Sequence, residues 1–142
     1  MTKILSFTCL IFCLYVNAWA LKENTINSQV LLKTTESWDG SELPEYPKGK
    51  PEITILKIII PPHTELPVHK HPVINAGIVL KGNLKVTTED GKTLYLKAGD
   101  IIAEVVNKWH HGTNEGDESA EILVFYAGIK DMPISINKEN AK

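Results

Sequence analysis

The chain has 142 residues, enough for one domain with a modest core, and 15 basic against 17 acidic residues give a formal net charge of −2. Every basic residue is a lysine. A mildly acidic chain without arginine is a poor candidate for binding nucleic acid or an anionic membrane, and it lacks the planar guanidinium that clamps carboxylates and phosphates.

The first twenty residues have the form of a secretory signal peptide. Lys3 supplies a basic start, residues 4–16 are almost wholly apolar, and residues 18–20 (AWA) provide a small-residue cleavage site. A membrane anchor is the alternative, but the apolar stretch is short for a span of about 20 residues. We therefore predict that residues 1–20 are removed and that the protein is periplasmic or secreted.

The predicted mature domain, residues 21–142, contains no cysteine, because Cys9 and Cys13 both lie in the leader. A lipid anchor on Cys13 is not expected, since a phenylalanine precedes it where a small residue is required. The mature chain would therefore have no disulfide and no thiolate metal ligand. Residues 137–142 are polar, and we expect them to be a frayed end.

After the leader, the apolar residues follow the pattern of short strands. Asp90-Gly91 is a hairpin signal, and no window shows a convincing helical period. Many short strands at close spacing indicate an all-β sandwich or barrel. The predicted strands are 53–60, 74–80, 84–88, 93–97, 100–106 and 120–127.

Histidines mark the candidate site. His69 and His71 are two residues apart, so on a strand they point to the same face, and Asn75 keeps that parity. His110 follows about forty residues later. Two imidazoles from one strand and a third from a distant strand form a recurrent ligand set for zinc and other first-row metals, although histidine is also often merely structural.

The spacing of these residues resembles the two motifs of the cupin superfamily. The first motif, G-x5-H-x-H-x3or4-E-x6-G, corresponds to His63-x5-His69-x-His71-x3-Asn75-x6-Gly82. The second, G-x5-P-x-G-x2-H-x3-N, corresponds to Gly99-x5-Val105-x-Asn107-x2-His110-x3-Asn114. The resemblance covers residues 53–127 and implies a double-stranded β-helix, the jelly-roll barrel, in a single cupin domain.

The resemblance implies that His69, His71 and His110 bind a divalent metal ion, which would be Fe, Mn, Zn, Ni or Cu. Asn75 stands where the family motif has a glutamate ligand. It would be a weak fourth ligand through its amide oxygen, or a residue that only orients the ligands. Without the glutamate, three neutral imidazoles would leave the metal its full charge of +2.

Other polar residues near these motifs have less certain roles. His63 is expected in a turn, and His111 has the opposite parity to His110, which predicts an outer face or rim. Trp109 shares the parity of His111 and is a candidate for an interface. Glu104 and Tyr126 are candidates for lining a pocket, but strands carry polar residues outward equally often.

Two functions remain open on this reading. The first is a metal-dependent enzyme, oxygenase-like or an isomerase or lyase, that acts on a small molecule. The second is a non-catalytic periplasmic module that binds a metal or small ligand. Cupins commonly pair by lending an N-terminal strand, and Val30 to Thr35 is suitable, so we also predict a homodimer.

Overall fold

The computed structural model describes residues 25–141, and within this range regular structure is almost entirely β-strand. None of the helical structure in this range is long and apolar enough to cross a membrane. Besides a 3₁₀ turn at Lys138–Asn140, the elements are β1 Pro51–Ile60, β2 Thr64–Glu65, β3 His69–Lys70, β4 Ile74–Lys81, β5 Asn83–Thr88, β6 Thr93–Lys97, β7 Ile101–Ala103, β8 His110–Asn114, β9 Ala120–Ile129 and β10 Ile136–Asn137.

These strands form two antiparallel sheets that pack face to face. The first has the order β1-β9-β4-β7, and the second has the order β10-β3-β8-β5-β6, with β2 also paired to β8. The buried aliphatic residues of both sheets, with Tyr126, make one core, in which Ile60, Val79 and Ile102 are each 1% exposed. The predicted all-β jelly-roll barrel is confirmed.

Alternation along the strands determines which side chains enter the barrel. In β4 the odd-numbered residues from Asn75 to Val79 are buried, and the even-numbered ones are only partly covered. The Asp90-Gly91 turn joins β5 to β6 as predicted, and Gly91 has a φ of +88°. His63 and Asn107 stand at glycine positions of the two family motifs, and both have a positive φ, so each occupies a left-handed position in a turn.

The prediction of one strand from 100 to 106 is wrong at its C-terminal end. Pairing with β4 stops at Ala103, and four consecutive residues from Ile102 to Val105 are buried. Alternation fails there because a segment that we call the strap, residues 35–43, covers the side that would otherwise face solvent. The strap is closed by a bridge between Glu36 and Glu42.

The strap is fixed to the barrel by hydrogen bonds and one ion pair. The Trp38 backbone N–H donates to the Ala103 carbonyl at 2.9 Å, and the Lys108 ammonium lies 2.6 Å from the buried Asp39 carboxylate. Burial raises the pKa of Asp39, but hydrogen bonds from Lys108 and Ser41 outweigh it and hold that pKa well below its usual range.

The two ends of the described chain behave differently. Residues 30–34 have no regular structure, and Val30 and Leu31 are exposed. That this segment pairs as a strand with a second subunit stays a prediction. The prediction of a frayed end at residues 137–142 is wrong for Asn137 and Lys138, and residue 142 lies outside the described residues. β10 pairs with β3, and the Lys138 backbone N–H donates to the Val68 carbonyl at 2.9 Å. The predicted signal peptide, residues 1–20, lies outside the described residues.

Candidate metal centre

Three strand segments bring the predicted histidines together inside the barrel. His69 in β3 is paired with His110 in β8, and His71 forms a parallel bridge with Val106. The ring centroids are 4.5 to 5.1 Å apart, and the potential ligand atoms of the three residues all lie within 4.8 Å of one another. These residues could therefore hold one metal ion.

Each imidazole is oriented by a backbone carbonyl. The Nδ1 atoms of His69, His71 and His110 lie 2.7, 2.8 and 2.9 Å from the carbonyl oxygens of Pro67, Ile134 and Lys108. A carbonyl only accepts, so each Nδ1 carries the proton and donates it. Each Nε2 is then left with a free lone pair, which is the state that a metal requires. The donor set fits a divalent ion.

Burial keeps these imidazoles neutral. It lowers the pKa of His71 to about 3 and that of His110 to about 4, and the hydrogen bonds to Ile134 and Lys108 only partly oppose it. Burial also lowers the pKa of His69, which is less enclosed. All three imidazoles are therefore neutral at neutral pH, with Nε2 unprotonated and ready to bind a cation.

The three rings border a cavity of about 50 Å³ between the two sheets. Most of its wall is aliphatic, including Ile60, Val86 and Val124. A larger groove of about 490 Å³ lies elsewhere, against Lys85 and Tyr95, and none of the histidines lines it. The histidine cavity is the candidate site because three potential metal-ligating nitrogen atoms lie close together on its wall.

Glu104 and Tyr126, whose orientation the sequence left open, both line this cavity. The Tyr126 ring lies 5.4 Å from that of His71, and burial, followed by the charge of Glu104, raises its pKa to about 12. Burial raises the pKa of Glu104 to about 7. A Glu104 carboxylate oxygen, Oε2, lies 3.7 Å from Nε2 of His110.

Asn75 faces the barrel interior, as its parity predicted, and is only 2% exposed. Its amide N–H donates to the Val73 carbonyl at 3.3 Å, while its Oδ1 has no partner among residues 25–141. It is not among the residues that line the cavity. Its role as a weak ligand stays a prediction.

The remaining candidates lie away from the cavity. His63 is in a turn, 3.1 Å from Asp117, and His111 points to the outer side, 3.9 Å from Glu65, as their positions predicted. Trp109 stacks under the Lys70 ammonium at 4.8 Å. Sequence reasoning missed Ile134, because its contribution is a backbone carbonyl that no side-chain pattern indicates.

Comparison with known proteins agrees with the fold. A comparison with curated protein sequences found no match. Among solved structures, an uncharacterized conserved protein with a double-stranded beta-helix domain from Klebsiella pneumoniae has 20% identity over 66% of this chain and 88% of its own, with a TM-score of 0.53. At this identity the likeness shows the fold alone.

Two enzymes give similar scores over smaller parts of their own chains. DMSP lyase DddQ from Ruegeria pomeroyi has 18% identity over 63% of this chain and 45% of its own, with a TM-score of 0.55. Oxalate decarboxylase from Lactobacillus farciminis has 22% identity over 61% of this chain and 26% of its own, with a TM-score of 0.53. The present chain thus spans less than half the length of either enzyme.

The family model described as "Cupin domain" matches residues 56–126. This range makes up half of the chain and contains His69, His71 and His110 on the strands described above. The chain therefore belongs to the cupin superfamily.

Proposed function

We propose that this protein is an exported small cupin that binds a divalent metal through His69, His71 and His110 and acts as a metal-dependent enzyme on a small molecule. The observation that carries the proposal is the set of three Nδ1–carbonyl hydrogen bonds, which leave three free Nε2 lone pairs close together. A bound metal would supply Lewis acidity and open coordination positions to a substrate.

The cavity limits the substrate. A volume of about 50 Å³ has room for about two water molecules, so only a small molecule or one end of a larger one enters without rearrangement. The hydroxyl of Tyr126 keeps its proton at neutral pH and is suited to donate a hydrogen bond to a bound oxygen atom.

Charge narrows the substrate class further. The chain has no arginine to clamp a substrate carboxylate, and the groups on the cavity wall are neutral imidazoles, a phenol and an acid. A neutral or enolisable molecule therefore suits the site better than an amino acid does.

Metal binding is tested by thermal unfolding of the chelator-treated protein with and without added Zn²⁺. At a hundredfold excess over Kd, binding to the native state alone adds about 2.7 kcal/mol, which raises Tm by roughly 10 °C in a domain of this size. His110→Ala should remove the shift. His111→Ala is the matched control, because that imidazole lies outside the cluster, and it should retain the shift.

Equal shifts in wild type and His110→Ala would contradict the proposed site. Catalysis is tested separately, by turnover and oxygen uptake of the metal-loaded protein with diketones, phenolics and sugars. Metal binding without turnover of any of these would favour the second function, a non-catalytic module that binds a metal or small ligand.

Export is tested by the intact mass of the protein recovered outside the cytoplasm. Cleavage after Ala20 predicts a chain that begins at Leu21. A recovered product that retains Met1, or that carries lipid on Cys13, would contradict this part of the proposal.

A further inference from the structure

Asn75 and Glu104 lie directly opposite each other on neighbouring chain segments. The β4–β7 register pairs Ala76 with Ala103, and the Glu104 backbone N–H continues it by donating to the Asn75 carbonyl at 3.1 Å. Residues opposite each other in an antiparallel pair point to the same face. Both side chains are buried, with Asn75 2% and Glu104 7% exposed, so both point into the barrel.

Only Glu104 of this pair lines the histidine cavity. One of its carboxylate oxygens, the buried Oε2, has no hydrogen-bond partner among residues 25–141. A buried carboxylate left without a partner costs considerable free energy, so such a group usually indicates a missing cation or proton donor.

A ring nitrogen close to this oxygen is another electron-pair donor. Nε2 of His110, at 3.7 Å, carries no proton, because the ring proton is on Nδ1 and is donated to Lys108. The distance is also too long for a hydrogen bond in either direction. Two atoms bound to one zinc-like ion at about 2.1 Å are roughly 3 to 3.5 Å apart. Glu104 is not among the residues whose ligand atoms already lie within 4.8 Å of one another, so its carboxylate would have to move towards the histidines for all four to contact one ion.

We propose that Glu104 is the fourth protein ligand of the metal, and that it supplies the carboxylate which Asn75, at the glutamate position of the family motif, cannot. The inference rests on the proposed metal site and adds one residue to it. The site then has three imidazoles and one carboxylate, and the bound metal has a net charge of +1 rather than +2. A site with an anionic oxygen ligand is also better suited to Mn²⁺ and Fe²⁺ than a site of imidazoles alone is.

The strap contributes to the position of this residue. The Ser37 hydroxyl donates to the Glu104 carbonyl at 2.9 Å, and that bond is buried. The backbone at residue 104 is thus held from one side by Ser37 and from the other by the Asn75 carbonyl. Two such restraints suit a ligand that must keep one orientation.

The test is a titration of the chelator-treated protein with Mn²⁺, followed by calorimetry. Glu104→Gln keeps the shape of the side chain but loses the charged ligand, and we expect its Kd for Mn²⁺ to rise by about tenfold or more. Glu65→Gln is the matched control, because it removes the same charge from an exposed carboxylate outside the cavity, and its Kd should match that of wild type.

A second variant tests relocation of the carboxylate. Adding Asn75→Glu to Glu104→Gln returns a carboxylate to the opposite strand, and we expect it to recover most of the lost Mn²⁺ affinity. Recovery would also show that the single variant had folded and had lost only a ligand. Asn75→Ala alone should leave the Kd nearly unchanged.

The outcomes separate this inference from the proposed function. If Glu104→Gln binds Mn²⁺ as tightly as wild type while His110→Ala does not bind it, Glu104 is not a ligand and the three-histidine site stands. If wild type binds no divalent metal, both fail together. If Glu104→Gln has lost affinity and the double variant recovers none, Glu104 is confirmed as a ligand. The idea that a carboxylate at position 75 can replace it is then refuted.

Discussion

Each of the three imidazoles is oriented by main-chain carbonyls and not by side chains. The acceptors belong to Pro67, Lys108 and Ile134. A point substitution at any of these positions leaves a carbonyl in the chain, so the orientation of the rings is insensitive to side-chain identity. Sequence change can therefore alter the site at the imidazoles themselves and at the side chains that line the cavity, such as Glu104 and Tyr126.

Glu104 makes the stability of the metal-free protein depend on pH. Burial raises its folded-state pKa from 4.5 to about 7, so the native state holds this proton more tightly than the unfolded chain does. The resulting stabilisation is present below pH 4.5 and is lost as the pH rises through about 7. At pH 8 the buried carboxylate is ionised and destabilises the metal-free fold.

Glu104→Gln should therefore stabilise the protein in the presence of a chelator at pH 8. We expect the free energy of unfolding to rise by about 2 kcal/mol at pH 8, somewhat less than the full pKa difference implies, because a buried amide also needs partners. At pH 4 the gain should vanish. Urea unfolding at both pH values measures it, and a difference of equal size at pH 4 and pH 8 would refute the assigned cause.

At the scale of elements, the C-terminal segment 132–137, which we call the clasp, contacts the residues that carry the site. β10 pairs with β3, which carries His69, and the Ile134 carbonyl just before β10 accepts the hydrogen bond from His71. Met132 and Ile134 also pack on the core. Two of the three candidate ligands thus depend on residues that lie more than sixty positions later in the chain.

Truncation after Met132 should weaken metal binding more than it disturbs the rest of the barrel. Loss of a partner that orients a ligand commonly costs about ten- to a hundredfold in metal affinity. Calorimetric titration with Zn²⁺ measures the effect, and truncation after Asn140, which keeps β10, is the control. Wild-type affinity in the shorter chain would show that the clasp is dispensable.

The sequence predicted the long strands because β1 is rich in β-branched residues and because apolar and polar residues alternate in β5. It did not predict β3 and β10, since two-residue strands have no measurable period. It also overextended β7, because Glu104 and Val105 are polar and apolar neighbours that mimic alternation, whereas both are buried, Glu104 towards the histidine cavity.

The candidate site was predictable to a similar degree. Histidine spacing identified His69, His71 and His110, and strand parity placed Asn75 inside the barrel. Parity could not decide the direction of Glu104, because that residue follows the end of β7 and its direction depends on pairing with Asn75 across the sheet. Cross-strand register is a tertiary property that one sequence does not reveal.

At the scale of the whole molecule, the outer surface of the first sheet is apolar. Ile53, Ile55 and Ile59 on β1 are all more than half exposed, and Phe125 on β9 lies opposite Ile55 and is 45% exposed. β1 is also an edge strand. The Lys57–Glu121 ion pair interrupts this face between Ile55 and Ile59. A largely apolar face beside an open sheet edge is typical of an interface between subunits.

We expect a two-fold homodimer formed through this face. Phe125→Glu should introduce two like charges near the symmetry axis and yield a monomer at micromolar concentration. Light scattering coupled to size-exclusion chromatography measures the mass. Tyr95→Glu is the control, because that aromatic residue is 69% exposed but lies on the second sheet. A monomeric wild-type protein would refute the prediction.

The hydrogen bond between His71 and Ile134 determines when the site becomes complete. A chain that emerges from a ribosome or a translocation pore with its N-terminus first exposes His69 and His71 well before Ile134, which is 63 residues later than His71. His71 cannot be oriented until that residue has emerged. The compartment that receives residue 134 is therefore the compartment whose metals first meet a finished site.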